Sequence, residues 1–129
     1  MRLLLDTHVL LWALTDDPRL TTSARELLLD PHNDVFFSAA TVWEIAIKRA
    51  LRRADIPVSA EQAIYLFREA GYEELEISAA HAARVETLPH LHVDPFDRLL
   101  VAQALTEPMR LITSDRIVAS YSPGILLLS

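Results

Sequence analysis

The chain has 129 residues, 51% of them hydrophobic, with two glycines and no cysteine. That is enough for one packed core; it argues against intrinsic disorder, and it excludes disulfides and thiolate metal sites. Twelve lysines and arginines stand against eighteen aspartates and glutamates, a formal net charge of −6. That argues against a broad basic grip on nucleic acid, and cations held by carboxylates are one way such a chain could still deal with phosphate.

Met1–Leu5 opens like a secretory leader, but Asp6 and His8 interrupt the apolar run and no clear small-residue cleavage site follows. Export is therefore not expected. No apolar stretch approaches the roughly 18 residues of a membrane span. The absence of cysteine fits a reducing cytoplasm, and one domain over residues 1–129 is expected there.

In chain order, Leu3–Leu5 reads as a short, fully apolar strand, and Thr15–Pro18 as a loop. Ser23 and Glu26 form a capping-box pair ahead of Leu27–Leu29. Val35–Phe37 is a second apolar strand. From about Ala39 to Arg53, Val42, Trp43, Ile45, Ala46, Ile47, Ala50 and Leu51 fall at helical spacing. Ser59 and Gln62 cap a further helix running toward Ala70, and Gly71 ends it. Leu75–Ile77 is a weaker, edge-like strand, and Ser78–Glu86 a helix. His90–His92 reads as a loop. Asp94 and Pro95 are N-cap and first helical residue of a helix that continues through Leu105 and is closed by Pro108. Leu111–Ile112 is a strand, Ser114–Tyr121 a short helix and Ile125–Leu128 a last strand. Continuous apolar strands are buried on both faces, and their alternation with helices predicts an α/β three-layer sandwich around a parallel sheet.

In open parallel sheets, sites form beyond the carboxyl ends of the strands. Asp6 directly follows the first strand, and Asp115 follows Leu111–Thr113 by two residues. Asp97 lies in the first turn of its helix, and Glu44 less than two turns into the helix after Val35–Phe37. All four can therefore meet at one edge. Clustered carboxylates repel one another, and a divalent, oxygen-preferring ion such as Mg²⁺ or Mn²⁺ removes that cost. Each acid also has a structural alternative. Asp94 and Asp97 suit a helix start, Thr41 and Glu44 a capping box, Glu44 and Lys48 an exposed ion pair, and Asp115 a first helical turn. Asp6, ending a buried strand, has no equally good alternative.

Four segments, in order, resemble the motifs of the PIN-domain family, in particular its VapC-type toxin ribonucleases of type II toxin–antitoxin systems. They are Leu3–Trp12 around Asp6, Ser38–Lys48 around Glu44, Asp94–Ala104 around Asp97, and Leu111–Asp115. The resemblance implies a PIN-like parallel sheet of about five strands and an acidic site of Asp6, Glu44, Asp97 and Asp115 binding Mg²⁺ or Mn²⁺. It further implies hydrolysis of RNA to a 5′-phosphate and a 3′-hydroxyl, a VapB-like antitoxin as partner, and a homodimer. A catalytically silent module acting through its protein partner is the alternative. A receiver domain fits poorly, because no lysine follows Leu111–Thr113 and no second acid stands beside Asp6.

Around these acids, Lys48, Arg49, Arg52 and Arg53 form the best patch for RNA docking, with a solvated helix face as the alternative. Arg98 and Arg116 are candidates to reach a phosphate or to pair with acids. Thr7, Ser38, Asp94 and Ser114 are accessory candidates, for hydrogen bonds to site carboxylates or for helix capping. His8 stands at the edge of the expected site. The spacing of His8, His90 and His92 does not match a tetrahedral zinc motif, and His90 and His92 read as loop residues. Trp12, Trp43, Tyr65 and Phe67 read as core, with Trp12 alternatively lining a groove for an antitoxin helix.

Overall fold

The structure is a computed structural model that describes residues 1–53 and 55–128. Its elements are β1 (Arg2–Leu5), α1 (Thr7–Thr15), α2 (Thr22–Leu29), β2 (Asp34–Ser38), α3 (Ala39–Ala50), α4 (Ala60–Glu69), β3 (Glu73–Leu75), α5 (Ala79–Arg84), α6 (Pro95–Thr106), β4 (Arg110–Thr113), α7 (Arg116–Ala119) and β5 (Leu126–Leu127). A 3-10 turn at Val85–Thr87 follows α5.

All strand pairs are parallel, in the order β3-β2-β1-β4-β5. The chain winds outward from β1 through β2 to β3, then crosses back to lay β4 on the other side of β1. The crevice beyond the carboxyl ends of β1 and β4 is thus the topological switch point, where open α/β sheets place their sites.

Alternation along β1 divides the core in two. Leu3 and Leu5 pack with Val9, Leu10, Phe37, Ile45, Ala63 and Phe67 on one face of the sheet. Leu4 packs with Ala40, Leu100, Val101, Leu111 and Val118 on the other. A one-residue slip of β1 would exchange these two sets, so burial on both faces fixes its register.

Several boundaries differ from the sequence reading. Helix α1, unassigned there, starts at once after β1: Asp6 is its N-cap, and with no glycine or proline between the two apolar runs that carboxylate is the only punctuation. Helix α2 is capped one residue before its start by Thr21, which accepts from the Ala24 N–H, so Ser23 lies inside the helix instead of capping it. Helix α3 stops at Ala50, short of Arg53, because Arg52 turns left-handed at φ 58°. Strand β3 pairs two residues earlier than expected, at Glu73–Leu75, and leaves Ile77 outside the sheet. The capping box of Ser59 with Gln62 and the Asp94 N-cap of α6 form where expected; α5 adds a capping box from Ser78 and His81.

Phe67 is fully buried, its ring centroid 4.9 Å from that of Phe37. Trp43 and Tyr65, read as core, are instead mostly exposed, since each falls on the solvent side of its helix. Phe67→Ala is therefore expected to destabilise the protein by about 3–5 kcal/mol in a denaturant titration. Tyr65→Ala is expected to fall within about 0.5 kcal/mol of the parent.

Candidate metal centre

The geometry begins with the pairing of β1 and β4. Leu5 stands opposite Ile112, and the Asp6 N–H donates to the Ile112 carbonyl at 3.0 Å. This register brings the Thr113 hydroxyl to Asp6, where it donates to Oδ2 at 2.5 Å. Oδ1 caps α1 by accepting the Val9 N–H at 2.9 Å. Asp6 is only 4% exposed. Burial pushes its carboxyl above the ordinary range, and the bonds from Thr113 and Val9 oppose that rise without cancelling it.

Glu44 projects from the second turn of α3 and is 3% exposed. Its Oε1 accepts the Thr7 hydroxyl at 2.7 Å, and its Oε2 meets Lys48 Nζ at 2.5 Å. The Thr7 and Thr41 hydroxyls are 3.0 Å apart. With the Thr7 hydrogen given to Glu44, Thr41 is the donor of that pair. The capping box of Thr41 and Glu44 is therefore not formed, because α3 starts at Ala39 with Ser38 as its cap. The expected pair of Glu44 and Lys48 does form, but with the carboxylate buried.

Asp97, in the first turn of α6, is pushed up to about 7. Burial is the largest cause, followed by repulsion from Asp94, Asp6 and Glu44; His92 acts weakly the other way. Asp115 caps α7, its Oδ1 accepting the Ile117 and Val118 N–H groups at 2.8 and 3.3 Å. Its Oδ2 accepts from His92 Nε2 at 3.0 Å. Burial works to raise Asp115, but the His92 bond and the two backbone N–H groups outweigh it and hold the carboxyl below the usual range.

The structure thus gathers Asp97 and Asp115 with His92, whose ligand atoms lie within 4.8 Å of one another. Asp6 and Glu44 are within electrostatic reach of Asp97. Among the accessory candidates, Thr7 bonds Glu44, and Asp94 caps α6 through the Phe96 and Asp97 N–H groups. Ser114 acts on Asp6 through its backbone only. Ser38 turns away from the acids to Gln103, 2.5 Å off, inside the core.

The cations separate clearly. Arg98 is buried, its guanidinium donating to the Pro89 and Val85 carbonyls and the Tyr121 hydroxyl, so it pins the His90–His92 loop and does not face solvent. Lys48 is held by Glu44, and Arg49 donates to the Ile56 carbonyl. Arg53 pairs with Asp55. Arg52 and Arg116 are exposed, the latter beside Asp115. Trp12 is half-buried on a groove with His8, Asp17 and Pro57, under the Arg19 guanidinium at 4.9 Å.

Sequence reasoning missed three residues. Thr41 and Thr113 are small hydroxyls whose role depends on pairing across elements. His92 was read as loop; its one available signal is that it stands two residues before the cap that presents Asp97.

The PIN domain family model matches residues 3–122, and the chain belongs to that family. Members are typically nucleases that use divalent metals. No curated protein matches the chain. The fold is similar to VapBC2 from Rickettsia felis bound to a promoter DNA fragment, at 19% identity and TM-score 0.71, covering 98% of this chain and 97% of that one. It is also similar to a toxin–antitoxin complex from Klebsiella pneumoniae (19% identity, TM-score 0.67, covering 98% and 97%). DNA-bound VapBC from Salmonella typhimurium is a third such structure (16% identity, TM-score 0.68, covering 98% and 96%). Among the described residues no helix is long and apolar enough to cross a membrane.

The donor set fits a hard divalent cation. It is made of carboxylate oxygens, and the about-7 value of Asp97 marks a negative charge without enough positive charge around it. The folded state holds the Asp97 proton more tightly than an unfolded chain, whose value is 3.8. Between 3.8 and about 7 the folded protein therefore binds more protons, and its stability falls as pH rises through that window. Asp115 has the opposite sign, its stabilisation being lost only as pH drops below the ordinary aspartate range. Melting curves of metal-free protein should accordingly show Asp97→Asn gaining on the parent between pH 5 and pH 7; parallel curves would contradict the assignment.

Proposed function

We propose that this chain is a metal-dependent endoribonuclease, the VapC-type toxin of a toxin–antitoxin pair acting in the cytoplasm, and that residues 1–129 work as one PIN-like domain. One observation carries the reading: a PIN-family chain carries carboxylates from four separate segments toward the rim beyond the carboxyl ends of β1 and β4.

Asp6 and Asp97 would hold the main ion, Mg²⁺ or Mn²⁺, with Glu44 and Asp115 completing or orienting the site. When bound, such an ion lowers the pKa of a coordinated water and neutralises charge developing on a phosphodiester. The protein's own part is positional. Thr113 and the Val9 N–H fix both oxygens of Asp6, and Thr7 and Lys48 fix both oxygens of Glu44. Of the candidate cations, Arg116 and Arg52 are exposed and would meet RNA phosphates, with Lys48 and Arg49 on α3. Cleavage would leave a 5′-phosphate and a 3′-hydroxyl. The exposed apolar side chains Trp43, Ile47 and Leu51 on and just after α3, and Tyr65 on α4, support protein partners, a VapB-like antitoxin and a second copy of the chain.

The competing reading, a silent module that acts only through its partner, has no observation in its favour here. Asp6→Asn separates the two, since asparagine keeps the α1 cap but loses the charge. It is expected to lower Mg²⁺-dependent RNA cleavage by about 10²–10³-fold with an unchanged circular dichroism spectrum. Full cleavage by this variant would overturn the assignment.

A further inference from the structure

Resting on the metal-centre reading, we infer that His92 fills, with an N–H, the space between Asp97 and Asp115 that a second cation would need. The centre therefore takes a single ion. Taken by spacing alone, His92, Asp97 and Asp115 look like three ligands of one ion, with their donor atoms within 4.8 Å of one another. The hydrogen positions give the opposite result.

The backbone N–H of Asp94 donates to His92 Nδ1 at 3.0 Å. Nδ1 must then present its lone pair, and the single proton of the neutral ring sits on Nε2. That N–H is bonded to Asp115 Oδ2, 3.0 Å away, and the same nitrogen lies 3.5 Å from Asp97 Oδ2 without a hydrogen bond to it. Ligating a metal through Nε2 requires a bare lone pair there. The proton would have to move to Nδ1, where it would face the Asp94 N–H, donor against donor. Swinging the ring aside is also costly. His92 is mostly buried, its own N–H is held by the Tyr121 hydroxyl at 2.9 Å, and that hydroxyl is fixed by buried Arg98 at 3.0 Å. Nor can the Asp94 N–H move, since Asp94 is committed as the cap of α6.

Asp115 agrees with this arrangement. Three of its roughly four acceptor positions are filled, by Ile117, Val118 and His92. Most of its acceptor capacity is used, whereas the Asp97 carboxylate takes no hydrogen bond among the described residues and has only the 3.5 Å approach of His92 Nε2. His92 is thus a positioning residue: it holds Asp115 and occupies the second seat.

The test counts ions and watches the imidazole in the full-length protein. Mn²⁺ binding, followed by loss of the free-ion paramagnetic resonance signal, should saturate at one ion per chain. In ¹⁵N spectra His92 Nε2 should keep its proton when Mg²⁺ saturates the protein. His92→Ala should admit a second Mn²⁺, and His92→Gln, which retains an N–H at similar reach, should restore a count of one. Two ions on the parent protein, loss of the Nε2 proton on Mg²⁺ addition, or a count of one in His92→Ala would each overturn the inference. Should His92→Ala fail to fold, the parent's ion count and Nε2 proton decide alone. A parent that binds no ion at all would instead overturn the metal-centre reading, and this inference with it.

Discussion

The crowding of Asp6, Glu44 and Asp97 into a largely water-excluded rim is the constraint around which the rest of the molecule is arranged; burial first, then repulsion from Asp94, Asp6 and Glu44, raises Asp97. A parallel sheet sends every strand's carboxyl end to the same rim, so acids placed just after strands, or in the helices that follow them, are forced together. Two of the three are compensated from within. Asp6 takes a hydroxyl and an N–H; Glu44 takes a hydroxyl and an ammonium. Asp97 receives neither, and its proton is held to about pH 7 as a result. Solvent relieves this only in part, because the Asp97 side chain is 22% exposed and the other two acids are nearly sealed from water. A divalent cation can relieve it, and the fold's apparent defect becomes its means of binding one.

The same logic explains how a chain of net charge −6 can handle a polyanion. Charge at the rim is mobile in sign: acidic when bare, much less so once an ion sits there. The basic side chains do not form a field. Lys48 is an internal counter-ion of Glu44, and Arg98 is a strut beneath the His90–His92 loop. Only scattered cations such as Arg52 and Arg116 face outward near the site. RNA would therefore be held chiefly where it reacts, and weakly elsewhere, which makes binding depend on metal more than on general electrostatics.

Much of this was legible in the sequence because it is written in periodicity and punctuation. Leu3–Leu5, Val35–Phe37 and Leu111–Ile112 are too short and too apolar for anything but strands buried on both faces, and the sheet contains all three. Asp94 with Pro95, and Ser59 with Gln62, set helix starts locally, so they were readable. What escaped depends on contacts between elements. Helix α1 was hidden because its apolar residues run on from β1. Trp43 and Tyr65 were misassigned because an aromatic at helical spacing carries no mark of which side faces water. Thr113 reaches Asp6 only through the pairing of β1 with β4, and His92 reaches Asp115 only because Arg98 and Tyr121 fold its loop inward. Topology suggested that the four acids lie at one rim, but not that Asp97 and Asp115 group with His92, that Asp6 and Glu44 are hydrogen-bonded from within, or that Asp97 takes no hydrogen bond among the described residues.

The account's central claim is that Asp97 exchanges a proton for a metal ion. Calorimetric titration of Mg²⁺ into the protein at pH 7, repeated in buffers of different ionisation enthalpy, measures that exchange directly. With Asp97 pushed up to about 7, the parent should release a fraction of a proton per ion bound, and Asp97→Asn should release less. Binding with no proton release in the parent protein, or equal release in the variant, would contradict the account.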